Sequence, residues 1–99
     1  ALTFLGLCVR AGRVTSGQEA CVSAIRDGSA ALALLDGGAS PNTRKRVLDA
    51  CHSHDTPLYE VDEGKLGQAI GRQGRMTAVL EAGGMADRLL SMLKDQPRL

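Results

Sequence analysis

Apolar residues fall in short blocks that alternate between helical and strand spacing along the 99 residues. In the first block Leu2, Leu5 and Val9 share one side of a helix over residues 2–11, with Gly12 as its stop. A short extended piece at Arg13–Thr15 leads into a second helix from Gly17 to about Asp27. Ser16 is placed to be its N-cap, and Glu19 three positions on completes a capping box. Ala20, Cys21, Ala24 and Ile25 then form the buried stripe, and Gly28 takes the left-handed stop. Ala30–Leu35 is a continuous apolar run of strand length, the pattern of a strand covered on both faces. Asp36-Gly37-Gly38 is a turn, and Ser40-Pro41 supplies an N-cap followed by proline at the first helical position. The third helix runs to roughly His54 with Val47, Leu48 and Cys51 inward. A strand from Pro57 through Val61, a short helix from about Glu63 to Ile70 and a β-like Met76–Leu80 follow. Gly83-Gly84 breaks the pattern, and Met85, Leu89, Met92 and Leu93 mark a final amphipathic helix. Gln96–Leu99 is expected to fray.

Such alternation predicts one three-layer α/β/α domain over residues 1–99 around a covered central sheet. The chain has no Trp, one Phe and one Tyr, so its core must be aliphatic. Cys8, Cys21 and Cys51 are odd in number and lack CxxC spacing, which points to reduced thiols and a cytoplasmic protein. No apolar run approaches membrane-spanning length and no signal-peptide pattern opens the chain as given, so no membrane partner is expected.

Net charge is +1, which by itself calls for no polyanion. The distribution changes that picture. Residues 1–18 carry Arg10 and Arg13 and no acid, and residues 64–80 carry Lys65, Arg72 and Arg75 and no acid. A fold that joins these segments has a local positive surface despite its neutral total. The helix start beside Arg10 and Arg13 is also suited to anions, because unpaired amides and the macrodipole favour a phosphate there.

Enzyme chemistry finds little support. Cys51-His52-Ser53-His54 has poor spacing for a metal on a helix, where ligands share a face at three or four residues. It reads instead as a helix end with solvated imidazoles. Asp36-Gly37-Gly38 is what any strand-to-helix turn requires, and Ser40 lacks the surroundings of a nucleophile elbow. No Walker A or dinucleotide fingerprint is present, so neither cofactor nor metal is expected.

Four segments in register resemble one family. Leu5-Gly6-Leu7-Cys8-Val9-Arg10-Ala11-Gly12-Arg13 is similar to the LGLAxRAGK opening of bacterial relatives of ribosomal proteins L-seven-Ae and L-thirty-e. Ser16-Gly17-Gln18-Glu19 with Ala24-Ile25-Arg26-Asp27-Gly28 resembles their SGEE…KAIRxG helix. Ala39 to Lys45 resembles DASxNTxKK, and Leu66 to Gly71 resembles LGxAIG. The YlxQ-type subgroup fits these segments, over about residues 2–94. The resemblance implies an α/β/α sandwich with a four-stranded mixed sheet. It also implies RNA binding, typically to kink-turns in ribosomal or other structured RNA.

The departures alter the expected mode. Kink-turn binders begin their second helix G-x-N-E-x-x-K, and this chain has Glu19 for Asn, Ala20 for Glu and Ser23 for Lys. Base contacts specify and phosphate contacts position, so the substitutions remove parts of both. The acidic pair after the central strand falls on Gly37 and Gly38, and the family's hydrophobic loop corresponds to the basic Gly71-Arg72-Gln73-Gly74-Arg75. That loop also resembles the IGxxG core of KH domains, a reading that needs a helix directly after Gly74. The expected function is non-catalytic, ribosome- or rRNA-associated RNA binding by a monomer with altered kink-turn recognition. Its expected surface comprises Arg10, Arg13, Ser16, Gly17, Gln18, Glu19, Ala20, Ser23, Arg72, Gln73, Gly74 and Arg75. Ribosomal or transcription–translation proteins are further possible partners, and the alternative is a protein-interaction module that kept the fold but lost the RNA.

Overall fold

The computed structural model describes residues 2–99. Five helices, α1 (Leu2–Arg10), α2 (Gln18–Arg26), α3 (Pro41–Ser53), α4 (Lys65–Ile70) and α5 (Gly84–Leu93), enclose four strands. The strands β1 (Val14–Ser16), β2 (Ala30–Asp36), β3 (Leu58–Val61) and β4 (Thr77–Glu81) lie in the order β1-β4-β2-β3. β4 pairs antiparallel with both β1 and β2, whereas β2 and β3 are parallel and joined through α3. This is the four-stranded mixed α/β/α sandwich that the alternation and the resemblance imply.

β2 shows why the sheet is covered on both sides. Successive side chains of a strand point to opposite faces. Leu32 and Leu34 pack with Leu5, Cys8, Leu66 and Leu89 of α1, α4 and α5. Ala33 and Leu35 pack with Cys21, Ile25, Val47 and Cys51 of α2 and α3. All of these are buried, so a run of six apolar residues in sequence is two cores in space.

Local differences from the sequence reading have physical reasons. Ser16 is not the N-cap of α2, because it is used as the last residue of β1, paired with Ala78. The cap is Gly17, at φ 98°, with no side-chain hydrogen bond, and its N–H donates to Thr77 O at 3.1 Å. Glu19 makes no capping box and reaches instead to Arg46 on α3. The buried stripe of α2 is Cys21, Val22 and Ile25, and Ala20 is exposed. At the far end the expected stop holds: Gly28 has φ 83°, and Ser29 N–H donates to Ala24 O at 3.1 Å. Ser40 caps α3 as expected, accepting from Thr43 N–H at 3.2 Å. On α5, Ala86 is buried and Met92 is 42% exposed. The chain end is tied down rather than loose, since Leu99 N–H donates to Leu58 O on the outer edge of β3. Residues after Gly74 form β4, not a helix, which excludes KH topology.

Candidate nucleic-acid interface

The loop between α4 and β4 is built around two glycines with different tasks. Gly71 ends α4 in the left-handed conformation at φ 75°, and Arg72 N–H donates back to Gly67 O at 2.9 Å. Gly67 sits mid-helix because the loop lies on it. A Cβ there would stand 2.8 Å from Arg72 O and 3.3 Å from Gln73 Cα. The loop is thereby pressed onto α4, and Arg72 and Arg75 are carried to the edge of the sheet beside Val14 and Ser16.

Arg75 reaches the start of α2. A Cβ on Gly17 would lie 2.5 Å from Arg75 Nη1, so the guanidinium rests against the side of Gly17 from which a side chain would project. No side chain caps the first-turn amides ahead of Cys21, whose N–H is the donor to Gly17 O. Unpaired amides and a guanidinium thus meet at one helix end, where the macrodipole adds partial positive charge. Among the described residues neither Arg72 nor Arg75 is in an ion pair.

The start of α3 is fastened to the same region. Thr43 Oγ1 donates to Gln18 Oε1 at 2.8 Å, and Ser40 Oγ donates to Thr43 Oγ1 at 3.1 Å. Gln18 therefore has its side-chain carbonyl committed to α3. Behind this face lies Asp36, fully buried at the end of β2. Its Oδ1 accepts from Gly38 N–H at 2.8 Å and Gly64 N–H at 3.0 Å, and its Oδ2 accepts from Leu66 N–H at 3.1 Å. Three amide donors satisfy a carboxylate that burial would otherwise penalise heavily. The bonds from Gly64 and Leu66 cap α4 from a neighbouring strand, and the Asp36 N–H donates to Met76 O at 2.8 Å at the base of the Arg72–Arg75 loop.

The sequence-predicted residues divide accordingly. Ser16, Gly17, Gln18, Arg72, Gln73, Gly74 and Arg75 are gathered at one end of the sheet. Glu19, Ala20 and Ser23 extend from there along α2, all exposed. Arg13 is drawn elsewhere: β1 runs antiparallel to β4, which puts Arg13 beside Glu81 at the opposite end of the ladder, in a 2.6 Å ion pair. Arg10 is exposed in the last turn of α1. Other cations are also engaged, Arg44 by Glu60 at 2.7 Å, Arg46 by Glu19 at 2.6 Å and Lys45 by Asp49 at 3.0 Å. Sequence reasoning missed the supporting roles of Asp36, Gly67 and Thr43. A glycine inside a helical pattern is a signal that something approaches closely, and Gly67 carried it.

The thiols offer no nucleophile. Burial pushes Cys8 and Cys21 up, with the Arg75 charge partly opposing the effect at Cys21. Burial, and then Cys21, push Cys51 up to about 11. Protonated thiols are poor nucleophiles and poor metal ligands.

Known proteins are similar to this chain in sequence and in fold. Two proteins called RNA-binding protein YlxQ match most of the chain. The one from Bacillus subtilis (strain 168) is 38% identical over 91 residues, covering 91% of each chain. The one from Enterococcus faecium is 30% identical over 84 residues, covering 84% of this chain and 82% of its own. A protein of unknown function from Bacillus halodurans C superposes with a TM-score of 0.87 at 32% identity, over 95% of this chain and 96% of that one. A 15.5 kD RNA binding protein of Giardia lamblia has the same fold, with a TM-score of 0.73 at 15% identity over 93% of this chain and 79% of that one. The model of the ribosomal protein L7Ae/L30e/S12e/Gadd45 family matches residues 3–87, and the chain belongs to that family.

Proposed function

We propose that this protein is a non-catalytic RNA-binding protein that holds structured, ribosomal RNA mainly by its phosphate backbone. The observation that carries the reading is the seating of Arg75 on Gly17. It joins the unpaired cations of the 71–75 loop to the uncapped amides of α2, making one surface selective for anions. Similarity to two proteins named as RNA-binding supports RNA as the polyanion. Arg13 belongs to this surface less than Arg72 and Arg75 do, because it lies at the far end of β1, beside Glu81.

Kink-turn recognition is weakened in this reading. Glu19 stands where kink-turn binders have Asn and projects a carboxylate from the first turn of α2, while Ala20 and Ser23 offer no charge or long donor. Restoring the family pattern with Glu19→Asn, Ala20→Glu and Ser23→Lys should raise kink-turn affinity by two decades or more, at about 1–3 kcal/mol per recovered readout contact. Tight kink-turn binding by the native chain at physiological salt would refute the weakening.

The interface is tested by Arg72→Ala with Arg75→Ala. Each lost phosphate contact should lower the log–log salt slope by roughly 0.7 to 0.9. RNA affinity and slope unchanged by the double substitution would refute the surface. The near-neutral charge favours, as the second reading, a protein-interaction module. Partners captured from lysate that survive ribonuclease treatment would support it.

A further inference from the structure

One face of α2 carries charge that the surface around Gly17 leaves unused. Glu19, Ser23 and Arg26 recur at helical spacing and, with Val22, Asp27 and Arg46, line an open groove between α2 and α3. Arg46 Nη1 donates to Glu19 Oε1 at 2.6 Å. The two side chains are 38% and 80% exposed. An ion pair in such solvent is weak, so the Glu19 carboxylate is readily exchanged for another anion. Arg26 is in no ion pair among the described residues. The groove's second acid, Asp27, is turned into its own loop, where Oδ1 accepts from Ser29 N–H at 2.8 Å.

The groove continues the line of the interface. From Gln18 to Arg26 the helix axis advances about 12 Å at 1.5 Å per residue. About four nucleotides of an RNA duplex strand rise the same distance, at roughly 3 Å each. A backbone that meets Arg75 at the start of α2 is therefore long enough to reach Arg26 and Arg46 with its next phosphates.

We propose that the α2–α3 groove is a second phosphate site, with Arg46 and Arg26 as ligands and Glu19 as the resident anion that a phosphate must displace. The proposal rests on the RNA-binding reading and adds a selectivity to it. A single phosphate gains little by replacing one anion with another. A polyanion already anchored at Arg75 brings its next phosphate at high local concentration and displaces Glu19.

A short RNA duplex titrated by fluorescence anisotropy, across roughly 0.05 to 0.5 M monovalent salt, reads the site. Glu19→Gln leaves Arg46 unmasked and should steepen the salt slope by about 0.7 to 0.9, with affinity about fivefold tighter near 0.1 M salt. Arg46→Ala in the Glu19→Gln background should return the slope to its native value, and Arg46→Ala alone should change it less. An unchanged slope for Glu19→Gln, or a gain that survives loss of Arg46, overturns the proposal. Native binding indifferent to Arg72→Ala with Arg75→Ala overturns the Gly17 surface instead, and an Arg46-dependent gain in the same series still supports the groove. Absence of RNA binding in every variant overturns both.

Discussion

Asp36 gives the most quantitative test of how this face is held. Its carboxylate is fully buried and accepts three amide donors, from Gly38, Gly64 and Leu66. A hydrogen bond to a charged group contributes about 1.5–3 kcal/mol, and a buried donor left unpaired costs about 1–3 kcal/mol. Asp36→Asn keeps an oxygen for Gly38 and Gly64 but turns an NH2 group toward the Leu66 N–H. One charge-assisted bond is lost and two donors oppose each other, a cost of about 2–3 kcal/mol. Asp36→Ala removes all three acceptors; Gly38 and Gly64 are exposed and recover water, while the buried Leu66 amide does not. The expected loss is about 4 kcal/mol, a large share of the 5–15 kcal/mol typical of a domain. Denaturant unfolding of the three proteins measures both values, and amide hydrogen exchange at Leu66 locates the effect at α4. If Asn is as stable as Asp, or as damaging as Ala, the assignment of the three bonds is wrong.

Two further outcomes follow from packing. Gly67→Ala would gain about 1 kcal/mol in an ordinary helix interior, but its Cβ meets Arg72 O at 2.8 Å. Overpacking of this kind costs about 1–3 kcal/mol, so we expect a net loss near 1 kcal/mol, a melting point lower by roughly 4–8 °C and a shallower RNA salt slope. A stabilised Gly67→Ala protein with native RNA binding would show that the loop does not depend on this contact. Cys51 supplies a pH dependence: its pKa rises from 9.0 to about 11 in the fold, so its stabilising contribution is complete below about pH 9 and fades as pH climbs toward 11. Denaturation midpoints should fall over that interval less steeply in Cys51→Ala than in the native chain, and equal slopes would refute the coupling.

Elements were legible in the sequence where local chemistry and tertiary context agreed. Ser40-Pro41 announces α3 because capping needs only neighbouring residues, and the glycine at 28 ends α2 for the same reason. Ala30–Leu35 revealed its two-sided burial because no polar residue interrupts it. The start of α2 misled the reading because Ser16 is claimed by a strand pairing with Ala78, and nothing local to Ser16 reports residue 78. Arg13 failed as a neighbour of Arg75 for a similar reason: strand direction, not proximity in sequence, decides to which end of β1 a side chain goes. Arg72 and Arg75 stand out in the sequence because the charge distribution isolates them. Asp36 was visible only as a turn former, since its three donors come from segments up to 30 residues away.

The strand order has a consequence for when this surface comes into existence. β4 is the last strand in the chain, yet it lies between the first two, with β1 on one side and β2 on the other. Gly17 and Asp36 both donate to this late segment, at Thr77 O and Met76 O. A nascent chain on the ribosome can therefore make α1, α2 and α3 and still have no sheet connecting β1 to β2. Only when the residues of β4 have emerged does the central strand slot in, and Arg75 arrives on Gly17 in the same event. Synthesis delivers residues over seconds, so for that interval a chain still short of β4 lacks the contact between Arg75 and Gly17.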